Sequence, residues 1–211
     1  MDMNQSFSDV AEQVIAAPVR HRGSAPERRI GFRQRTLYRI AHVQTPEDDG
    51  LARVVNISDE GIGLKLQLPV RLGDELVVHL SETTAIKGKV VWTHGADCGL
   101  QLDDPIDSEA LLQELASQAQ ARHRRPLRLA VDKPALAWTE NGLRKVRLRN
   151  VSQHGMQIEH DGSFVPGLQV KVALTSGVER RGVVRWSSQG FAGLILLEPF
   201  TPTELGSVRE L

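Results

Sequence analysis

Two short patterns in this sequence combine residue types that can bind an anion and donate hydrogen bonds to a polar ligand, and each occurs twice. One is Arg-x-x-x-Arg, present as Arg35 to Arg39 and as Arg124 to Arg128; the other is Asn-x-Ser-x-x-Gly, present as Asn56, Ser58 and Gly61 and as Asn150, Ser152 and Gly155. Arginine forks onto phosphate oxygens, donates to guanine O6 and N7, and stacks its flat guanidinium on a base, three tasks that lysine does not combine. An asparagine amide offers both a donor and an acceptor, a serine adds a hydroxyl, and a glycine permits a turn. The seven histidines show no His-x-x-x-His spacing and the single Cys98 has no partner, so neither a metal site nor an internal disulfide is expected. No nucleophile elbow, phosphate-binding loop, dinucleotide fingerprint or repeated acidic pair is present, which points to a binding protein and not an enzyme.

The elements that position these residues form an internal repeat. Asn56, Ser58, Gly61, Gly73, Gly88, Trp92, Gly99 and Pro105 return as Asn150, Ser152, Gly155, Gly167, Gly182, Trp186, Gly193 and Pro199, every pair 94 positions apart (150 − 56). Each copy reads as about six short strands of alternating or β-branched residues. In the first they cover 40–44, 52–57, 62–66, 75–80, 85–93 and 98–102; in the second they begin near 127, 145, 156, 169, 179 and 192. Short antiparallel strands at this spacing favour a small closed barrel, because closure removes vulnerable edges. Between the copies, 107–122 carries Leu111, Leu112 and Leu115 without a breaker, with Asp107 or Ser108 as its cap, and reads as a helix packed on the first barrel. The expected fold is all-β: two tandem six-stranded antiparallel barrels joined by an α-helix. The division is 1–27 as a mobile segment with a short helix around 10–17, 28–106 as the first barrel, 107–122 as the linking helix and 123–211 as the second barrel.

Formal net charge is zero, yet seven arginines stand between positions 20 and 39 against the single acid Glu27. Such a segment has no core to bury, so it should stay extended until an anion neutralises it. No apolar run reaches membrane-span length and no secretory signal precedes the barrels, so membrane insertion is not expected and the cytoplasm is the expected location. Trp92 and Trp186, in apolar strands, and Cys98 read as core residues. His154 lies in the second turn motif and reads as an exposed turn residue.

The order of the two motifs around the first strand of a small barrel, repeated in both halves, resembles the PilZ family, and the likeness runs from Arg33 to Phe200. That resemblance implies a cyclic di-GMP receptor. Carried over residue by residue, Arg35, Arg39, Arg124 and Arg128 would hold the ligand on a flexible arm. Asn56 and Asn150 would face a guanine edge, Ser58 and Ser152 would add hydroxyls, and Gly61 and Gly155 would allow the turn. The signature often has Asp where this chain has Asn, and Pro126 restricts the second arginine motif. The implied ligand is cyclic di-GMP with no further cofactor, and the implied partner is a protein that reads loop ordering and barrel reorientation. One alternative is a degenerate PilZ scaffold for a motility or envelope-biosynthesis machine. The other, a barrel binding single-stranded nucleic acid, is disfavoured by only 4% aromatic residues.

Overall fold

The computed structural model describes residues 35–120 and 126–211. The expected arm at 1–27, its helix near 10–17, and Arg124 all fall outside these residues. The first six strands are β1 (Arg35–Gln44), β2 (Asp49–Ile57), β3 (Gly61–Lys65), β4 (Glu75–His79), β5 (Ala85–His94) and β6 (Asp97–Leu102). Helix α1 (Ser108–Gln120) leads to β7 (Leu129–Thr139), β8 (Gly142–Ser152), β9 (Gly155–Glu159), β10 (Gln169–Ala173), β11 (Glu179–Ser188) and β12 (Phe191–Leu196). Each set of six closes into an antiparallel barrel, in the orders β1-β2-β3-β6-β5-β4 and β10-β11-β12-β9-β8-β7. The two tandem barrels with a helix between them are the fold class that the sequence leads one to expect.

Alternation drives closure. Leu76 and Val78 of β4 and Ile86 and Val90 of β5 point inward to meet Val43, Val54, Leu64 and Leu100, so every strand contributes one apolar face to a closed core. The second barrel repeats this with Val146, Leu148, Ile158, Val172 and Leu194. Cys98 lies in the first core, as expected, and burial pushes its thiol up to about 11. Helix α1 starts where Asp107 Oδ1 accepts from Ala110 N at 2.9 Å. Its first residue is tied back to the turn motif, since Ser108 N and Oγ both donate to Asp59 Oδ1, at 3.1 and 2.6 Å. Leu115 is buried in the first barrel's core with Leu111 and Leu112 packed beside it, so the helix does pack on the first barrel.

The barrels are joined by more than the helix. Residues 205–211, which carry no strand pattern, lie against the start of β2: Leu51 N donates to Leu205 O and Val208 N to Asp49 O, both at 2.7 Å. Ser207 Oγ donates to Asp48 Oδ2. Gly50 is required there, because a Cβ would stand 2.0 Å from Gly206 O. Leu51, a first-barrel residue only 3% exposed, belongs to the same apolar cluster as Leu205, Leu211 and the second core.

Bulges decide which side chains leave the core. In β5 the inward parity Ile86, Gly88, Val90 would carry Trp92 inside, but the register shifts between Val90 and Trp92, and the indole emerges on the outer face. The same shift stands between Val184 and Trp186. Both tryptophans are therefore about half exposed, 47% and 45%, and the expectation that they fill the core is overturned. Matching shifts between Val54 and Asn56 and between Leu148 and Asn150 turn the two asparagines outward as well.

Candidate functional site

The four bulges place the repeated residues in one row across the outside of each barrel. In the first, Asn56 of β2 is opposite Gly63 of β3, Gly63 is opposite Gly99 of β6, and Gly99 is opposite Trp92 of β5. At the usual strand spacing this row spans about 14 Å, roughly three inter-strand steps. Both glycines lie under a side chain, a rigid indole over Gly99 and a movable amide over Gly63. A Cβ on Gly99 would stand 2.0 Å from the indole Nε1 of Trp92, and one on Gly63 would stand 2.7 Å from Asn56 Oδ1. In the second barrel the row is Asn150, Gln157, Gly193 and Trp186. There Gln157 replaces the first glycine, and Asn150 Nδ2 donates to its Oε1.

The serines close the turn that begins the next strand. Ser58 Oγ accepts from Gly61 N at 3.1 Å and donates to Gly61 O at 3.2 Å, and Ser152 Oγ donates to Gly155 O at 3.3 Å. Gly61 and Gly155 allow the turn without a positive φ. They are glycines because of close packing: a Cβ would stand 3.1 Å from Leu100 O in one barrel and 2.8 Å from Leu194 O in the other.

The arginine motifs fall differently in the two copies. Arg35 and Arg39 lie within β1 and not on an arm before it, with a register shift between Thr36 and Arg39 that interrupts the regular alternation. Arg39 is half-buried; its Nε donates to Leu80 O at 3.1 Å and its Nη1 to Leu115 O at 3.4 Å, so it fastens α1 to the end of β4. Arg128 immediately precedes β7 and is exposed. With Asn150, Ser152, His154, Arg185 and Trp186 it lines a cavity of about 260 Å³. An adjoining cavity of about 350 Å³ between the barrels is lined by Arg39, Leu51, Gln153 and His154, and the two share Pro126 and His154. Arg185 and Trp186 line the first of these cavities, although Trp186 reads as a core position and Arg185 belongs to neither repeated motif. A comparison of the two copies at non-identical positions carries the signal for Arg185, which aligns with Val91.

The residues 27–118 match the family model described as the PilZ domain. The first barrel is a PilZ domain. The match takes in all six strands of that barrel and most of α1, while the second barrel repeats the topology outside the matched residues. No curated protein matches the chain. Among solved structures it is similar to PlzA of Borreliella burgdorferi in complex with c-di-GMP, at 13% identity over 76% of this chain and 81% of that one, with a TM-score of 0.31. It is also similar to YcgR of Escherichia coli in complex with c-di-GMP (10%, 78% and 76%, TM-score 0.29). A third is MotI/DgrA of Bacillus subtilis, described as an inhibitor of motility (12%, 79% and 91%, TM-score 0.30).

Electrostatics on the PilZ barrel and on its repeat differ. Beside Asn150, Arg147 and Arg149 both bond Asp132, holding its carboxyl below the usual range, and Arg149 also approaches Glu159 at 3.8 Å. On the opposite wall of the PilZ barrel, His42 and His79 stack at 5.1 Å, with His42 Nε2 3.1 Å from Asp49 Oδ2 and His79 Nε2 2.7 Å from Gln44 Oε1. Burial, reinforced by the neighbouring His42, lowers the pKa of His79. Among the described residues no group of three or more His, Cys, Asp or Glu could hold a metal ion, and no helix is long and apolar enough to cross a membrane.

Proposed function

We propose that this chain is a non-enzymatic receptor for cyclic di-GMP that acts on a protein partner. The observation that carries the reading is the repeated outer row, in which an asparagine and a tryptophan are re-aimed by bulges and the tryptophan lies over a glycine, with an arginine motif at the asparagine side. A guanine has a flat face that an exposed indole can take and an edge that an amide can read, and the phosphates suit arginine forks. Membership of the first barrel in the PilZ family supports the same ligand. The proposed binding residues are Arg35, Arg39, Asn56, Ser58 and Gly61 in the first barrel and Arg124, Arg128, Asn150, Ser152 and Gly155 in the second, with the serines and Gly61 and Gly155 acting mainly by shaping the turn. The division into barrels at 28–106 and 123–211 and a cytoplasmic location belong to the same proposal.

Output by reorientation of the barrels would have to work against the Leu51 and Ser207 contacts, so loop ordering at the arginine motifs is the simpler route to a partner. The test is calorimetric titration with cyclic di-GMP, with GTP and a short RNA as controls. Saturable binding of cyclic di-GMP alone is the expected result. Binding of none of the three would favour the scaffold, a reading that Arg39's bonds to two backbone carbonyls also favour, and tight RNA binding would favour a nucleic-acid barrel.

A further inference from the structure

Two of the residues that differ between the copies stand where a ligand's charge would fall. Position for position, the second barrel has His154 where the first has Glu60, and Arg185 where the first has Val91. Both replacements move the surface toward positive charge. Arg185 and His154 line the same cavity as Arg128 and Asn150, and no acidic side chain lines it. Among the described residues Arg128 and Arg185 make no ion pair, whereas nearby Arg181 is engaged by Glu198 and Arg149 by Asp132. In the first barrel the corresponding patch carries an exposed Val91 beside Trp92, and Arg39 is turned onto the carbonyls of Leu80 and Leu115.

We infer that the second barrel, the one outside the PilZ match, is the tighter cyclic di-GMP site, and that Arg185 and His154 are additional binding residues that make it so. This rests on the functional reading above. Arg185 follows the bulge-forming Val184 and sits next to Trp186, so a base lying against the indole would bring its phosphate within reach of the guanidinium. Arg128 approaches the same cavity from the other side, and a dianion between two arginines is held by charge-assisted bonds from both. The bond from Asn150 to Gln157 fixes the amide that would read the base edge, a constraint absent over the bare Gly63. A half-buried glutamate at position 60 opposes a dianion in the first barrel, while an exposed histidine at 154 does not.

The experiment titrates the full chain with cyclic di-GMP and follows two classes of site. Arg185→Val with His154→Glu gives the second barrel the first barrel's residues, and should weaken the tighter class by at least roughly tenfold while leaving the weaker class in place. The reciprocal Val91→Arg with Glu60→His should strengthen the weaker class several-fold. Arg185→Gln, milder and exposed, should show the same direction with an unchanged melting curve. The inference is overturned if the Arg185 variants leave both affinities unchanged, or if Asn56→Ala removes the tighter class. If the wild-type chain takes up no cyclic di-GMP, the receptor reading itself fails and the inference falls with it.

Discussion

In the first barrel the middle of the asparagine-to-tryptophan row is bare, Gly63 beside Gly99; in the second it is half filled, Gln157 beside Gly193. The first barrel fixes its arginine, Arg39, by bonds to α1 and β4, while the second leaves Arg128 exposed at a cavity with Arg185. The first carries a histidine pair on its far wall where the second has Leu136 opposite Ala173. The difference teaches that a repeated backbone plan can hold two chemistries. Bulges set where side chains emerge, and a few substitutions then decide whether an emerging arginine supports the fold or faces a ligand.

The sharpest way to break the comparison is to ask whether the barrels melt separately. Leu205→Ala removes a side chain from the second core beside Leu51 and should cost about 2–5 kcal/mol. Because Leu51 belongs to the first barrel's β2, the whole chain should still unfold in one shifted calorimetric transition. Two transitions, with the first barrel's unmoved, would show that the shared cluster does not couple them.

Next in size is the contrast between the arginines. Arg39→Ala strips its donors from Leu80 O and Leu115 O and should lower stability by about 1.5–3 kcal/mol, with Arg39→Lys restoring only part. Arg128→Ala, at an exposed position, should change stability by less than about 0.5 kcal/mol and act only on ligand affinity. Urea denaturation of both variants measures the difference directly; equal losses would erase the distinction drawn here.

A smaller effect is expected from exchanging the row residue. A Cβ at position 63 meets only the amide of Asn56, the end of a flexible side chain, so Gly63→Gln should cost about 1 kcal/mol or less and displace that amide. Gln157→Gly should free Asn150 and loosen discrimination among guanine dinucleotides and adenine analogues more than it changes total affinity. Competition binding checks it, and unaltered selectivity would remove Gln157 from the recognition.

The smallest expected effect concerns acid. His79's pKa in the folded chain is lower than its ordinary value of 6.5, so the unfolded chain takes up the proton first. Its contribution is complete above about pH 6.5 and fades as pH falls through the lowered value. A modest drop in melting temperature on acidification should therefore appear, and His79→Gln should flatten it; an unchanged slope would place the acid sensitivity elsewhere.

Much of this was legible in the residues. The 94-residue repeat and the alternation of strands such as β4 and β10 give two six-stranded barrels, because inward parity and closure leave little choice. The outward turn of Asn56 and Trp92 was not legible, since one extra residue reverses parity and no residue type marks the bulge. Gly61 and Gly155 could be recognised as constrained, but the constraint is a neighbouring strand's carbonyl and not a left-handed turn. Arg39's bonds depend on where α1 docks, and the packing of 205–211 against β2 joins residues that carry no common periodicity.

That last contact has a bearing on how the chain reaches its final form. Ser207 bonds Asp48 across 159 positions, and Leu51 is covered by residues more than 150 positions later. As the chain grows on a ribosome, the first barrel can close around its own core, but the wall at Asp48 to Leu51 must wait, with an apolar side chain bare, until residues 205–211 have emerged. Pairings this distant are slow to find. The joint between the barrels is thus expected to be the last part assembled, and a refolding experiment should show first-barrel protection from hydrogen exchange appearing before that of Leu51 and Val208.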